Sequence, residues 1–540
     1  MPEGQPEQGP TSRKRARSNK KFFIIGGVAI AAIVAVVIFI IIQSNMSGSK
    51  IELYKTDAFF LSTRDNGETK YALFKNDGSK VTDFAYSQVS QFVNGYAFVE
   101  SLDGKDGIID HNGNMTVDFG EYDNISAHMG IYEATKDQNE KLILGNGEEL
   151  VKEYKSYDYA PNSPYVIVSF EDNKYELYNA LGDKLADFNS EEKPVITDDD
   201  PETVTAVSAK GALIVLSNTN FKPANTIADI NTLYDIDEAT EDGKTITFFE
   251  HGKHYDDSAK RAIYNTDNFT ELGDSCKDLD INDDYANEER VYATCEKDDK
   301  NFLIRNNAVS DIEVVNYGNG YIVYDENHYV RYNSEEKKAE FFVNGDSKKT
   351  IDANYRVSIS YKGYQLNDYK ARKVTLFDLN GDELIALNDT SSSSEINGID
   401  DNDNVIVRDS KKESNERYVV MNKNGEELSG RYYNITPHGK YYSAINRSNN
   451  TSDLLDKDGK VIVSGEYNEF AFYEDNQYIL ARKGDSSNRQ YDVVDVDGKS
   501  IKGTIEGTVT YYKSGYFRAI QDNKIRYYTL DGKLIHEYES

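Results

Sequence analysis

Apolar and aromatic residues along this chain fall into short runs separated by polar turns, and one turn pattern recurs nine times. YALFKNDGSKV places its glycine at Gly78, and similar segments follow with Gly113, Gly147 and Gly182. The pattern returns as VTLFDLNGDEL with Gly381, then with Gly425, Gly459, Gly498 and Gly532. Spacings are 35, 34 and 35 residues in the first set and 44, 34, 39 and 34 in the second. Each copy runs from an apolar strand into a turn, often Asn-Gly or Asp-Gly, then into a second apolar run. Asp or Asn can open a type I turn, and Gly supplies the positive φ of a closing bulge. Nine such hairpins at near-constant spacing predict a tandem β unit.

Two further elements lie between the hairpins. One is Tyr, two residues, then an apolar residue: Tyr86 to Val89, Tyr122 to Ile125, Tyr432 to Ile435, Tyr467 to Phe470. The other is an aromatic-rich strand led by Gly95, Gly320 or Gly515. Together they make about four short strands in ~35–40 residues, the size of one propeller blade. From Asp198 to about Glu340 the turn glycine is lost, although RAIYNTDNFTEL, NFLIRNNAVSDI and YVRYNSEEKKAEF keep the strand-turn-strand outline. Gly182 to Gly381 spans 199 residues. At the observed spacing that is room for about four more units, about a dozen in all. Propellers typically have ~4–8 blades, so the expected fold is all-β with two consecutive propeller-like domains. These cover 51–299 and 300–540 and divide near Asp299; a curved open stack is the alternative.

With these motifs in place, the sequence resembles the WG (KWG) repeat family. Its unit runs as a Gly-aromatic strand, a Lys-Trp-Gly strand, an Asp-x-x-Gly-Lys turn and a Tyr-Asp-x-Ile element. NGYAFV, KDGIIDHNG and EYDNI stand in that order between Asn94 and Ile125. The departure is that no Trp exists anywhere; the Trp position holds Asp106, Tyr71 or Tyr175. The resemblance implies a bacterial envelope protein built of β repeats and transfers no site residues.

One stretch breaks the pattern. Phe22 to Ile42 has no charge and no proline, and at ~1.5 Å per residue it would span ~32 Å, enough for a hydrocarbon core. Arg13, Lys14, Arg15, Arg17, Lys20 and Lys21 precede it, so positive-inside bias orients the N-terminus to the cytoplasm. The expected organisation is a disordered basic tail at 1–21, a transmembrane helix at 22–42, a linker at 43–50 and the repeats beyond. That describes a single-pass cell-membrane protein with an extracellular or periplasmic repeat region.

Charge changes the picture of partners. The chain has 61 basic and 93 acidic residues, and the tail up to Ser49 holds six of the former and two of the latter. Lys50 onward is therefore left with 55 against 91, net −36, which repels phosphate backbones and excludes nucleic acid as a partner. Tyr (41) outnumbers Phe (23), so buried rings bring hydroxyls that need partners. Tyr432-Tyr433, Tyr441-Tyr442, Tyr511-Tyr512 and Tyr527-Tyr528 would put one ring on each strand face.

Candidate chemistry is sparse. Cys276 and Cys295 are the sole cysteines, and a bridge is expected in an oxidising setting. Between them, Asp278, Asp280, Asn282 and Glu289 take positions 1, 3, 5 and 12 of a calcium loop. Position 6 is Asp283 where Gly is called for, so the bland alternative is a solvated acidic loop. His251 and His254, beside Glu250 and Asp256, suggest a metal cluster that the neighbouring Gly252 turn explains equally. No catalytic motif and no cofactor site is legible, calcium being the one candidate. The functional expectation is an anchored binding or scaffolding surface for an extracellular protein or glycan. The alternatives are a propeller glycan hydrolase with channel carboxylates and a structural component of a membrane assembly.

Overall fold

The computed structural model describes residues 56–539 apart from short interruptions, the longest being 389–393 and 496–500. Twelve antiparallel β-sheets follow one another along the described residues, and the regular helix there is limited to two single 3₁₀ turns. In chain order the sheets cover 58–117, 124–144, 156–189, 195–228, 234–273, 278–313, 320–352, 357–388, 395–422, 434–467, 469–506 and 508–539. We number them one to twelve. Each is a meander in which sequence neighbours pair.

The predicted turns account for much of this regularity. Gly113 sits at φ 88° and Gly459 at φ 74°, a region open to glycine and costly for other residues. In the same turns Asp110 Oδ1 accepts from the backbone N–H groups of Asn112 and Asn114 at 2.8 Å. Asp456 does likewise for Asp458 and Lys460, at 3.0 and 2.9 Å. Where the glycine is missing, two-residue turns take over, as at Asn306-Asn307 with φ 48° and 56°. Asn tolerates the left-handed region through local hydrogen bonding.

Middle strands are buried on both faces: Tyr165–Ser169 and Val204–Ala209 are closed to solvent throughout. Each sheet therefore shares an apolar layer with the next. Leu213, Val215, Phe248 and Ala262 join sheets four and five, and Val330 and Phe341 of sheet seven meet Val357 and Tyr364 of sheet eight. Several buried tyrosine hydroxyls find the acceptors expected of them: Tyr165 OH donates to Ser217 O at 2.6 Å and Tyr467 OH to Asp492 Oδ2 at 2.9 Å. Tyr441 and Tyr442 are both buried, as are Tyr527 and Tyr528, so both strand faces in those pairs belong to inter-sheet cores.

The succession closes on itself. The leading hairpin, Ala58–Asp65 with Glu68–Lys75, turns Phe59, Leu61, Ala72 and Phe74 toward Tyr516, Ile525 and Tyr527 of sheet twelve. Phe59 and Tyr516 ring centroids are 4.7 Å apart, and Ser62 Oγ lies 2.7 Å from Tyr527 OH. The hairpin's other side packs into sheet one through Ala58 and Leu73. The architecture is a twelve-bladed β-propeller.

Two expectations are corrected here. The division into two rings near Asp299 fails because Asp298 and Asp299, at φ 52° and 59°, form the two-residue turn between strands Asn287–Lys297 and Lys300–Arg305 of sheet six. Cores continue on both sides of it, Ile263 with Leu279 and Ile304, and Leu303 with Val323. Blade-count precedent suggested two rings, but each buried face is covered by its neighbour, and among the described residues no pair of faces is left to close a smaller ring. The second correction concerns the membrane. The segment expected to span, 22–42, and the tail and linker around it lie outside the described residues. Among the described residues no helix is long and apolar enough to cross a membrane. The single-pass anchor and the cell-membrane localisation rest on hydropathy and flanking charge alone, and the fold gives them no support.

Candidate functional site

Three cavities gather around sheet six. The most polar, about 470 Å³, is lined mainly by carboxamides and hydroxyls: Asn265, Asn268 and Thr270 of sheet five, Asn306 and Asn307 of the sheet-six turn, and Glu326. The middle one, about 300 Å³, shares Asn265 and Glu326 with it and adds Thr240, Asp242, Lys244, Tyr292 and Asp325. The third, about 390 Å³, shares Tyr292 with the middle one. Its walls are Val314, Val315, Ile322, Val323, Val357 and Ile359, and its polar groups are Arg290, Tyr292, Arg356 and Ser358. Shared wall residues place the three side by side along sheets five to eight, a row that forms the candidate groove. Sizes of ~300–1,000 Å³ with a few directed polar groups suit ligand recognition.

Local bonding fixes this groove's walls. Asp325 Oδ1 accepts from the N–H groups of Asn327 and His328 at 2.7 and 2.8 Å, shaping the turn that carries Glu326. Arg305 Nε donates to Glu326 O at 2.8 Å and its guanidinium lies over the Tyr329 ring. Thr240 and Asp242 are joined at 2.8 Å, and Asp242 Oδ1 also accepts from Lys244 N at 3.0 Å. Against the opposing effect of burial, the Lys244 ammonium, 2.7 Å from Oδ2, together with these bonds holds the Asp242 carboxyl below its usual range.

The residues singled out in the sequence border this region. Cys276 and Cys295 are joined in a disulfide with Cα atoms 5.4 Å apart, and both are fully buried in the layer between sheets five and six. Asp278, Asp280 and Asn282 stand along one face of the strand Asp278–Asp284, so ~3.3 Å per residue separates their ends by ~13 Å. Calcium ligands must share a sphere of ~2.3–2.6 Å radius, and an extended strand does not provide one. Glu289 lies in the next strand, Asn287–Lys297. His251 and His254 instead face Asp235 and Asp237, with Nδ1 to carboxylate distances of 2.8 and 3.6 Å, and both rings are about half exposed. Among the described residues no group of three or more His, Cys, Asp or Glu is arranged to hold a metal ion.

A second cluster forms on the first strands of sheets five and six, Tyr234–Ala239 and Asp278–Asp284. Glu238 Oε2 accepts from Ile281 N at 2.8 Å, and the buried Arg261 guanidinium lies 3.8 Å from Asp237 Oδ2. Burial raises the Asp237 carboxyl; Arg261 and His254 oppose this, and Asp278 and Asp280 add to it. Burial also raises Glu238 and Asp280, with neighbouring carboxylates contributing.

Sequence reasoning reached the disulfide region and the acids but not the groove. Asn265, Asn306, Arg290, Tyr292 and Arg356 come from separate strands and turns, and only sheet packing brings them together. A usable signal was present in Asn306-Asn307, a turn that keeps two carboxamides where other copies have Asp and Gly.

The fold is a β-propeller in which sheets five to eight line a row of ligand-sized cavities. Over one copy, the family likeness is supported: the model described as "WG containing repeat" matches residues 454–485. That stretch runs from the third strand of sheet ten to the second of sheet eleven. No curated protein matches this chain. Similar solved structures include a eukaryotic initiation factor, with 13% identity, 68% of this chain and 93% of that chain covered, and a TM-score of 0.32. Another is BamB from Moraxella catarrhalis, with 12% identity, 71% and 98% covered, and a TM-score of 0.18. A third is the dihydro-heme d1 dehydrogenase NirN, with 10% identity, 68% and 70% covered, and a TM-score of 0.19.

Proposed function

We propose that this propeller is a binding or scaffolding module that receives its ligand in the groove over sheets five to eight. The observation that carries the reading is the run of three cavities joined through Asn265, Glu326 and Tyr292. Carboxamides and hydroxyls dominate the polar end, and such groups both donate and accept, which suits a neutral, hydroxyl-rich chain such as a glycan. The acidic surface disfavours polyanions at long range.

The test is binding of neutral oligosaccharides to the full chain by calorimetry, with product release assayed in parallel. Binding without turnover, weakened at least fivefold by Asn265→Ala and by Asn306→Ala, is the expected result. Affinity unchanged by either substitution would remove the groove from the reading.

A second reading, a hydrolase, is favoured by one observation: Asp237, Glu238 and Asp280 are carboxyls raised by burial and like charge, as general acids are. Product release abolished by Asp237→Asn or Glu238→Gln would establish it in place of the binding module.

A further inference from the structure

Away from the groove, sheets two and three meet along a row of aromatic rings. Tyr157 lies in the first strand of sheet three, Ser156–Asp158, with Tyr154 shortly before it and Tyr159 directly after. Ring centroids of Tyr154 and Tyr157 are 5.9 Å apart, and those of Tyr157 and Tyr159 are 6.2 Å apart. Tyr159 in turn lies 4.1 Å from His128, the last residue of the sheet-two strand Asn124–His128. All four rings are partly open to solvent. Two carboxylates of sheet two stand against them: Glu133 Oε2 is 3.6 Å from His128 Nε2, and the Tyr157 phenol meets both Glu133 and Glu140. Burial, and after it these two acids, raise the Tyr157 phenol well above its usual value. Burial and the charges of Glu140 and Glu133 push Tyr154 up to about 12, and Tyr159 is raised by burial and Glu133. Neighbouring lysines serve other acids: Lys141 pairs with Glu149, and Lys155 Nζ lies 3.9 Å from Glu171.

Aromatic faces attract cations through the ring quadrupole, and carboxylates beside them pull in the same direction. Among organic cations, guanidinium uses both parts of this surface: its plane stacks on a tyrosine ring while its N–H fork meets a carboxylate. An ammonium is compact and strongly hydrated, so it gains less from the rings. A quaternary ammonium has no N–H to offer the glutamates. The chain makes the stacked arrangement within itself, with the Arg305 guanidinium 5.4 Å from the Tyr329 ring centroid and that of Arg447 4.6 Å from Tyr433. A formal net charge of −32 favours the approach of basic partners. We propose that His128, Tyr154, Tyr157 and Tyr159, with Glu133 and Glu140, form a docking surface for an exposed arginine of a basic protein partner. This surface goes beyond the binding-module reading of the groove, and neither depends on the other.

The test uses the full chain at about 0.15 M salt, where attraction between exposed charges is screened beyond ~8 Å. Short Gly-Ser peptides carrying a single arginine, lysine or citrulline are titrated by calorimetry, with tetramethylammonium as a fourth probe. The arginine peptide is expected to bind at least fivefold more tightly than the lysine peptide. Its margin over the citrulline peptide, which keeps the shape without the charge, is expected to be at least tenfold. Tyr159→Leu and Glu133→Gln should each weaken arginine binding at least fivefold. Tyr369→Leu, which removes a half-exposed ring from a turn of sheet eight, should leave it unchanged. The order among the probes is read on the unaltered protein, so it decides the matter even if a substitution unfolds the chain. Equal affinity for the arginine and citrulline peptides, or no binding of the arginine peptide, would overturn the proposal. So would arginine binding unmoved by both substitutions in folded protein. Tighter binding of the lysine peptide or of tetramethylammonium would also overturn it and assign the surface to an ammonium ligand.

Discussion

Sheets eight to twelve and sheets four to seven are built on the same meander but close their hairpins differently. In the former, glycine at positive φ recurs, at Gly381, Gly425, Gly459 and Gly532. In the latter, two-residue turns without glycine recur, at Asp298-Asp299 and Asn306-Asn307, beside glycine turns at Gly243 and Gly345. The disulfide and two of the cavities belong to the irregular region, and a third cavity reaches from it to the first strand of sheet eight. Uniform glycine turns allow neighbouring sheets to nest closely: a Cβ on Gly459 would come within 2.9 Å of the Leu428 backbone. Side chains at turns keep sheets from nesting so tightly and supply polar groups to the space left between them. Regular repeats build the ring, and departures from the repeat furnish its recognition surface.

The sharpest way to break this comparison is at the seam, where regular sheets must hold the ring shut. Phe59→Ala removes a ring packed on Tyr516 and is expected to cost about 3–5 kcal/mol in chemical denaturation. A cost below about 1 kcal/mol would mean that the closure contributes little and that the sheets form an open stack in solution. In the irregular region the corresponding staple is the disulfide. Cys276→Ala with Cys295→Ala opens a loop with a sequence separation of 19 residues and should cost about 3 kcal/mol. An unchanged denaturation midpoint would show that sheets five and six need no covalent link.

Turn chemistry gives a smaller and more pointed contrast. Gly381 sits at φ 84°, and an added Cβ would lie 2.6 Å from the Phe341 ring across the sheet-seven interface. Gly211, at φ 99°, has nothing within 4 Å. Gly381→Ala is expected to cost about 2–3 kcal/mol and Gly211→Ala about 1 kcal/mol, the latter from backbone strain alone. Equal losses would remove sheet nesting from the account.

The smallest effect concerns charge. Asp280 is raised by burial and by Asp278 and Glu296, so the folded state takes up its proton at higher pH than the unfolded chain does. Stability from this group therefore improves as pH falls through its folded pKa and levels off below about 3.9, its unfolded value. Asp280→Asn should raise the thermal midpoint at pH 7, by no more than about 0.5 kcal/mol of stability, with the gain vanishing near pH ~3.5. A loss at pH 7 would instead show that the carboxylate makes a favourable contact. Asp492 provides the opposite case. Bonds to Lys483, Thr504 and Tyr467 hold it low against burial, so its contribution is present above about 3.9 and lost as pH falls through its folded pKa.

What could be read along the chain was whatever depends on residues close in sequence. A type I turn with a glycine bulge involves a handful of consecutive residues, so Gly78 and Gly459 announced their hairpins, and the count of about a dozen units followed from spacing. The same locality explains how RAIYNTDNFTEL was legible as a hairpin without its glycine. The pairing of Cys276 with Cys295 was open to reasoning because no other cysteine competes. The family's repeat frame, however, is offset from the sheets: Asn94 to Ile125 begins in sheet one and ends in the first strand of sheet two. A repeat in sequence therefore did not mark a sheet boundary. The number of rings depends on how each buried face meets the next, and burial on both faces erases the alternation that would reveal a partner. Only packing could show that Asp299 lies inside a sheet and that Phe59 meets Tyr516 from the far end of the chain. The groove is a property of that packing as well. Arg290, in a strand of sheet six, and Arg356, just before the first strand of sheet eight, are far apart in sequence and line one cavity only because successive sheets pack together.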